Sequence, residues 1–334
     1  AQVIKAETVS EVASVLDFML EQNQGKRSII LDVKTAPGRE VFERLIRWAD
    51  VVVHNILDDT AERLGISQPQ LREVNPNVVS RQVSTFGGTY RGGWEQRAGY
   101  DQIAKVATGM KTRFGTVEKP EGPPSEWIIA DVMGGLCLAF SGLLAVYQQR
   151  KTGYAGEGRT SLVRGSNYIY LPYMIAKNGR SHWGEGHTRL DKGEHWWQRL
   201  YQCSDGWLYV GTSEDRAGVL AEKVIGETSA DVKLLEVAFA GQTCSYWQAK
   251  LDEADIACHR VLTLNDLIEE ADVQKVGNEA ADETAKGGIK LLSRQNHPCG
   301  KPIISMAPTW ARVGEDYSYY RLTPAPRLGT HTRE

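Results

Sequence analysis

Residues 27–55 read RSIILDVKTAPGREVFERLIRWADVVVHN, and this stretch decides the fold class. Arg27 to Lys34 is a continuous apolar run of the kind buried in a parallel sheet. Pro37 opens a helix that runs through Trp48, with Val41, Leu45 and Trp48 on one face. Ala49 to Asn55 is a second strand. Outward from there, a short helical segment spans Thr60 to Leu64 and a third strand spans Asn77 to Ser84. The strand–helix–strand–helix–strand order predicts an α/β fold with an open, doubly wound, Rossmann-like parallel sheet. Ligands are then expected at the carboxyl ends of its strands.

Further along, Gly87, Gly88, Gly92 and Gly93 form a loop around Tyr90 and Arg91. It reads equally as a surface turn and as a loop over a ligand. The segment IIAD leads into a long helix, Val132 to Thr152, with Asp131 as N-cap and Gly153 as C-terminal stop. That helix is apolar nearly all round, so it is expected to be buried. Another helix is expected over Ser161 to Tyr173. A second, smaller α+β unit opens with the hairpin QRLYQCSDGWLYVG, turning at Asp205-Gly206. Helices follow near Arg216 to Val224, Tyr246 to Ala254 and Asn265 to Glu270, with a strand at Ile256 to Val261 and Pro-punctuated strands in KPIISMAPTWAR. The expected organisation is a large domain over residues 1–176, a linker over 177–195, a small domain over 196–292 and a segment over 293–334 that returns to the large domain. The chain opens directly in the strand AQVIKAE and ends in PAPRLGTHTRE, as a portion of a longer polypeptide would.

The 334 residues are 41% hydrophobic and 24% charged, a globular composition. The longest apolar segment, Val132 to Tyr147, carries Gly and Ser and is short for a bilayer, so no membrane partner is expected. A net charge of −3 gives no general attraction to nucleic acid. Cys137, Cys203, Cys244, Cys258 and Cys299 are widely spaced and form no CxxC pair, which points to reduced thiols in a cytoplasmic setting and to no metal site. His182, His187 and His195 fit no standard metal spacing and read as a solvated linker. Trp196, Trp197 and Trp207 read as hairpin packing, or as an aromatic wall for a cationic acceptor.

Asp131 is the residue whose surroundings invite chemistry. It lies where an apolar strand meets a helix and is followed by Val-Met-Gly-Gly. Gly134 and Gly135 each cost the helix about 1 kcal/mol against Ala, so something is expected to approach the backbone there. An ordinary N-cap is the plain interpretation of Asp131. A carboxylate beside helix N–H groups is also suited to nucleophilic attack, those dipoles stabilising developing negative charge.

Read together and in order, five segments resemble family III CoA-transferases of the CaiB/BaiF, formyl-CoA transferase-like kind. They are the residue 23–55 segment, STFGGTYRGGWEQRAGYDQIAKVATGM, IIADVMGGLCLAFSGLLAVYQQRKTG, ADIACHRV and PAPRLGTHTRE. The resemblance implies that Asp131 attacks an acyl-CoA thioester and carries CoA as an aspartyl thioester to a carboxylate acceptor. It implies CoA contacts from Asn55, Arg63 and Tyr100. Lys26 and Arg27, where the family has Lys-Arg, suit the CoA phosphates. It also implies coenzyme A and acyl-CoA as substrates, no metal, and an interlocked homodimer or a tandem pseudo-dimer within one chain. The family's first strand and helix have no counterpart here, Glu7 and Thr8 stand where an Arg is usual, Asn55-Ile56 replaces the family's Asn-Phe, and no Gly-rich lid follows Trp207. Two other readings share this fold. An α-methylacyl-CoA racemase has a His base where this chain has Tyr100, a poor base at neutral pH. A half of a fused dimethylsulfoniopropionate CoA-transferase/lyase is the other.

Overall fold

The computed structural model describes residues 2–7, 23–87, 93–113, 119–120, 128–174, 176–177, 180–181, 192–263, 266, 273–275, 292–296, 302–306 and 329–332. The loop around Tyr90 and Arg91, His182, His187, the helix expected over Asn265 to Glu270 and Cys299 fall outside those residues in whole or in large part. In chain order the elements are β1 (Ile4–Glu7), β2 (Arg27–Ile30), α1 (Ala36–Trp48), β3 (Val51–His54), α2 (Asp58–Leu64), α3 (Gln68–Val74) and β4 (Val79–Ser84). Then come α4 (Asp101–Ala107), α5 (Ile129–Thr152), β5 (Glu157–Ser161), α6 (Leu162–Met174), β6 (Gln198–Cys203) and β7 (Gly206–Gly211). The remainder are α7 (Ala217–Ile225), α8 (Val232–Ala240), α9 (Cys244–Asp252), β8 (Ala257–Arg260), β9 (Val273–Lys275), β10 (Leu292–Asn296) and β11 (Pro302–Met306). They group into two compact units, residues 32–191 and residues 1–31 with 192–334.

In the first unit β3, β4 and β5 form a parallel sheet in that order, with Val51 opposite Val79 and Ser84 opposite Ser161. The Thr35 hydroxyl accepts from the Gly38 amide at 3.2 Å and caps α1, whose first turn tolerates Pro37. Ile46, Leu71 and Val78 meet Phe42, Val52 and Val74 in a small core between α1, α3 and the sheet. Gly65 ends α2 in the left-handed region at φ 65°, where only glycine is free of strain. The strand expected over Arg27 to Lys34 stops at Ile30. Asp32 forms a turn there, its carbonyl accepting from the Thr35 amide and its Oδ1 from the Lys34 amide. β5 escaped the sequence because Glu-Gly-Arg-Thr-Ser has no apolar run.

The long helix departs from expectation twice. It begins at Ile129, three residues early, and is not buried all round: Leu136, Phe140, Leu143, Leu144 and Tyr147 are exposed. By length and apolar content alone it could cross a bilayer. Its Ala130, Gly134, Gly142 and Ala145 are nevertheless packed into protein, Ala145 against Val79 and Ala155 and Ala130 against Ala104 and Leu162. Its end is as expected, Gly153 adopting φ 73°.

In the second unit β1 and β2 pair in parallel. Residues 329–332 return to β2: the His331 amide donates to the Ser28 carbonyl at 2.9 Å and the Ser28 amide donates to His331 Nδ1 at 3.1 Å. β6, β7 and β8 form an antiparallel meander. Alternating Tyr201, Cys203, Leu208 and Val210 face a core shared with Leu220, Leu235, Phe239, Trp247 and Leu251 from α7, α8 and α9. The hairpin loop is Ser204-Asp205, since Cys203 pairs with Gly206, one residue earlier than expected. α8 was not anticipated, although Asp231 caps it by accepting from the Leu234 amide at 2.9 Å. β9, β10 and β11 form a third sheet.

Candidate active site

Asp131 stands in the first turn of α5 and is not its N-cap. The cap comes from elsewhere in sequence. Asp101, the first residue of α4, accepts on one oxygen, Oδ1, from the Ala130 amide at 2.8 Å and the Asp131 amide at 3.3 Å. Helix amides expected to face a reacting group are therefore partly spent on a neighbouring carboxylate, and the next, Val132 N–H, bonds the Ile128 carbonyl at 2.9 Å. The second Asp101 oxygen forms an ion pair with Lys105 one turn along α4. Both partners are buried, Lys105 at 0% exposure and Asp101 at 4%.

The Asp131 side chain is reachable from solvent, while the protein crowding its base desolvates it. That desolvation raises its pKa above the usual carboxylate value, the Asp101 charge raises it further, and Lys105 opposes both. The folded chain thus binds a proton at Asp131 more tightly than the unfolded chain. Its favourable contribution is complete below the unfolded pKa, about 3.9, and is lost as pH rises through the folded pKa. Asp131→Asn is therefore expected to raise the melting temperature near pH 7 and to leave it little changed near pH 3, measured by thermal unfolding at both pH values.

The two glycines after Asp131 have different surroundings. A Cβ at Gly134 would stand 2.7 Å from Leu162 Cδ2, and one at Gly165 would stand 2.9 Å from the Gly134 amide nitrogen. Gly134 and Gly165 thus let α5 and α6 cross closely. A Cβ at Gly135 would meet nothing within 4 Å, so its side of the helix is open to an approaching group.

Asn55 follows the carboxyl end of β3 and is exposed. His54 shapes the turn after it, Nδ1 accepting from the Ile56 amide at 3.3 Å, and burial lowers the His54 pKa, so the imidazole is neutral at physiological pH. Arg63 is exposed on α2, its guanidinium bonded to the Asp59 carbonyl at 3.3 Å and the Thr60 hydroxyl at 2.9 Å. Tyr100 precedes Asp101 as the N-cap residue of α4 and is 62% exposed. A network missed in the sequence joins these segments at the strand ends. Arg159 Nη1 on β5 donates to both Asp58 oxygens at 2.7 and 2.6 Å, Gln82 donates to Asp58 Oδ1 at 3.0 Å, and Gln96 donates to Oδ2 at 3.0 Å. Burial would raise the Asp58 pKa, but these bonds hold it below the usual carboxylate range. Asp58 therefore ties the start of α2 to the segment that leads into Tyr100 and Asp101. No sequence motif marks it, since its partners lie 24 to 101 residues away.

Lys26 and Arg27 belong to the other unit, at the start of β2. Lys26 Nζ donates to Asn23 Oδ1 at 3.2 Å; burial first, then the Lys5 charge, lowers its pKa. The tryptophans are used internally. Trp196 and Trp197 meet edge to face at 5.2 Å and pack on the core, His195 stacks on Trp197 at 4.6 Å, and Lys192 lies over Trp207 at 4.8 Å. Among the described residues the cysteines are free thiols and no group of three His, Cys, Asp or Glu side chains is placed to hold a metal.

A family described as CoA-transferase family III matches residues 6–332. The CoA-transferase/lyase DddD of Marinomonas sp. (strain MWYL1) is 31% identical over 323 residues, 94% of this chain, which spans only 38% of that protein's length. An acyl-CoA transferase of Fusarium pseudograminearum is 34% identical over 344 residues, covering 96% of this chain and 70% of that one. The crystal structure of a CaiB/BaiF family protein from Brucella suis superposes with a TM-score of 0.77 at 20% identity, covering 99% of this chain and 90% of the other, a likeness of fold.

Proposed function

The chain belongs to CoA-transferase family III, and from that premise we propose that it moves CoA from an acyl-CoA donor to a small carboxylate acceptor through an aspartyl-CoA thioester on Asp131. The observation that carries this reading is the carboxylate itself: reachable, in the first turn of a helix, beside open backbone at Gly135. Asp131 attacks the thioester carbonyl and CoA thiolate leaves, giving a mixed anhydride. The thiolate then attacks the aspartyl carbonyl and releases the donor as its carboxylate. The acceptor carboxylate then attacks the aspartyl thioester carbonyl and displaces CoA thiolate, giving a second mixed anhydride. That thiolate attacks the acceptor's acyl carbonyl to form the new acyl-CoA and release Asp131 as its carboxylate. The thioester is conserved throughout, so no other energy source is needed, and covalent catalysis divides one hard exchange into easier steps. Mass spectrometry of the protein after incubation with a panel of acyl-CoAs tests the reading and selects the donor.

In the same proposal Asn55, Arg63 and Tyr100 contact CoA, and the sheet is Rossmann-like in its ligand placement. An interlocked dimer in a cytoplasmic setting completes the proposal. Among the described residues the Arg63 guanidinium bonds neighbours on its own helix, and it is exposed, so it can reach a phosphate. Arg63→Ala is expected to weaken CoA binding by about 1.5–3 kcal/mol in calorimetry, as loss of a charged hydrogen bond does. Unchanged affinity removes Arg63 from the site.

The match to a CoA-transferase/lyase is compatible with one second reading, that these residues are the transferase part of such a fused enzyme, with dimethylsulfoniopropionate as the substrate to try. Release of dimethyl sulfide when that substrate and an acyl-CoA are given to the longer chain would select it.

A further inference from the structure

An Asp–Lys pair one turn apart is ordinarily a surface device that adds little to a helix. On α4 it is buried, Lys105 completely. Burying an ion pair tends to cost more than the attraction returns, so helix stability alone is a poor reason for it. The geometry supplies a better one, because Asp101 uses its other oxygen to cap α5 at the turn that carries Asp131.

We propose that the Asp101–Lys105 pair is a positioning device for the nucleophile: Asp101 clamps the first turn of α5, Lys105 balances its charge, and together they set where the Asp131 carboxylate stands and what charge it faces. This deepens the function proposed above and rests on it. Asp101 and Lys105 are the charged groups that act on Asp131, and their effects on its pKa oppose each other, Asp101 having the larger. The other elements packed on α5 carry His54 on β3, Arg81 on β4, Glu157 and Arg159 on β5 and Arg164 on α6. Arg81 is engaged far along the helix, its Nε donating to the Ser141 carbonyl at 3.2 Å. Glu157 pairs with Arg159 at 2.7 Å, and Arg159 with Asp58. Sequence reading attended to Tyr100 and passed over Asp101. A carboxylate at the start of one helix that serves the start of another, 29 residues later, has no local signature.

The variants move Asp131 in opposite directions. Asp101→Asn keeps an oxygen acceptor for the two amides but removes a negative charge. Lys105→Met removes the balancing positive charge. Asp101→Asn with Lys105→Met removes both and keeps the interior neutral if either single variant fails to fold. The Asp131 carboxyl is titrated by NMR with selectively labelled aspartate. Its midpoint is expected to rise in the order Asp101→Asn, double variant, wild type, Lys105→Met, and the acid limb of adduct formation from acyl-CoA is expected to follow that order. Asp101→Ala, which loses the acceptor, is expected to lower kcat about a hundredfold with CoA affinity unchanged, as a misplaced group does, and Asp101→Asn is expected to restore most of it. Titration midpoints that do not move overturn the proposal, as does an Asp101→Ala enzyme with wild-type kcat. The NMR order needs no turnover, so absence of any adduct on wild-type Asp131 would defeat the proposed function while leaving the pair to be judged separately.

Discussion

Asp131→Asn is expected to abolish the covalent adduct and to lower transfer by about four orders of magnitude or more, the size of loss seen when a covalent nucleophile is removed. CoA affinity is expected to stay within a factor of about two, because the residues proposed to hold the cofactor are elsewhere. In the proposed mechanism Asp131 holds CoA while one carboxylate leaves and another arrives, so the adduct must form if that mechanism operates. With acyl-CoA supplied and acceptor withheld, hydroxylamine cleaves the aspartyl thioester and leaves a hydroxamate, which peptide mapping should place on Asp131. A racemase forms no such adduct, since it only moves a proton at the α-carbon. Transfer that survives in the Asn variant, with mass spectrometry excluding deamidation back to Asp, defeats the mechanism. The same variant should be the more stable protein near neutral pH, because the ionised carboxylate opposes its surroundings. A loss of activity accompanied by a higher melting temperature cannot be dismissed as unfolding.

Local patterns made much of the fold legible in the sequence. Pro37 marks the start of α1, and the valines of β3 and Val78-Val79 at the start of β4 mark parallel strands, β4 buried and β3 with Val53 exposed. The glycine at 153 ends α5 as expected. What was not legible shares one cause, distance along the chain. The start of α5 moved three residues because its cap is Asp101, not Asp131. β5 has no apolar run and is a strand because β4 offers it a ladder. Composition alone suggested burial all round for α5, but among the described residues it is the face bearing small residues that is covered, by β3, β4, β5, α4 and α6.

The candidate site divides the same way. Asp131 was picked out by its place between an apolar segment and a helix, and the resemblance gave it a role. The surrounding polar groups were not legible: Lys105 looks like any helix-surface lysine until its complete burial is seen, and Asp58 looks like a helix-start acid until Arg159, Gln82 and Gln96 converge on it. Gly134 marked a close approach to the backbone, and the close neighbour turns out to be Leu162. Glycine in a helix permits a close approach; the sequence does not say what approaches, and a Cβ at Gly135 would meet nothing within 4 Å.

That distinction leads to the second large effect. Gly165→Ala is expected to lower kcat about a hundredfold while destabilising the fold. The new methyl would stand 2.9 Å from the Gly134 nitrogen, 2.9 Å from Met133 Cβ and 3.0 Å from the Met133 carbonyl carbon. These are backbone and near-backbone atoms that cannot swing aside, so α5 must shift at the turn following Asp131. Overpacking of this kind costs about 1–3 kcal/mol, more than the roughly 1 kcal/mol that alanine returns to helix α6. A displacement near 1 Å at a reacting group costs about two orders of magnitude in rate. Gly135→Ala gives the contrasting outcome. Its methyl enters open space, so the helix gains stability, and a fall in transfer with a raised melting temperature is expected because substrate must come up to that backbone. Thermal unfolding and single-turnover transfer measured on both variants decide the matter. If Gly165→Ala keeps wild-type melting and wild-type kcat, the α5–α6 crossing does not hold the nucleophile in place.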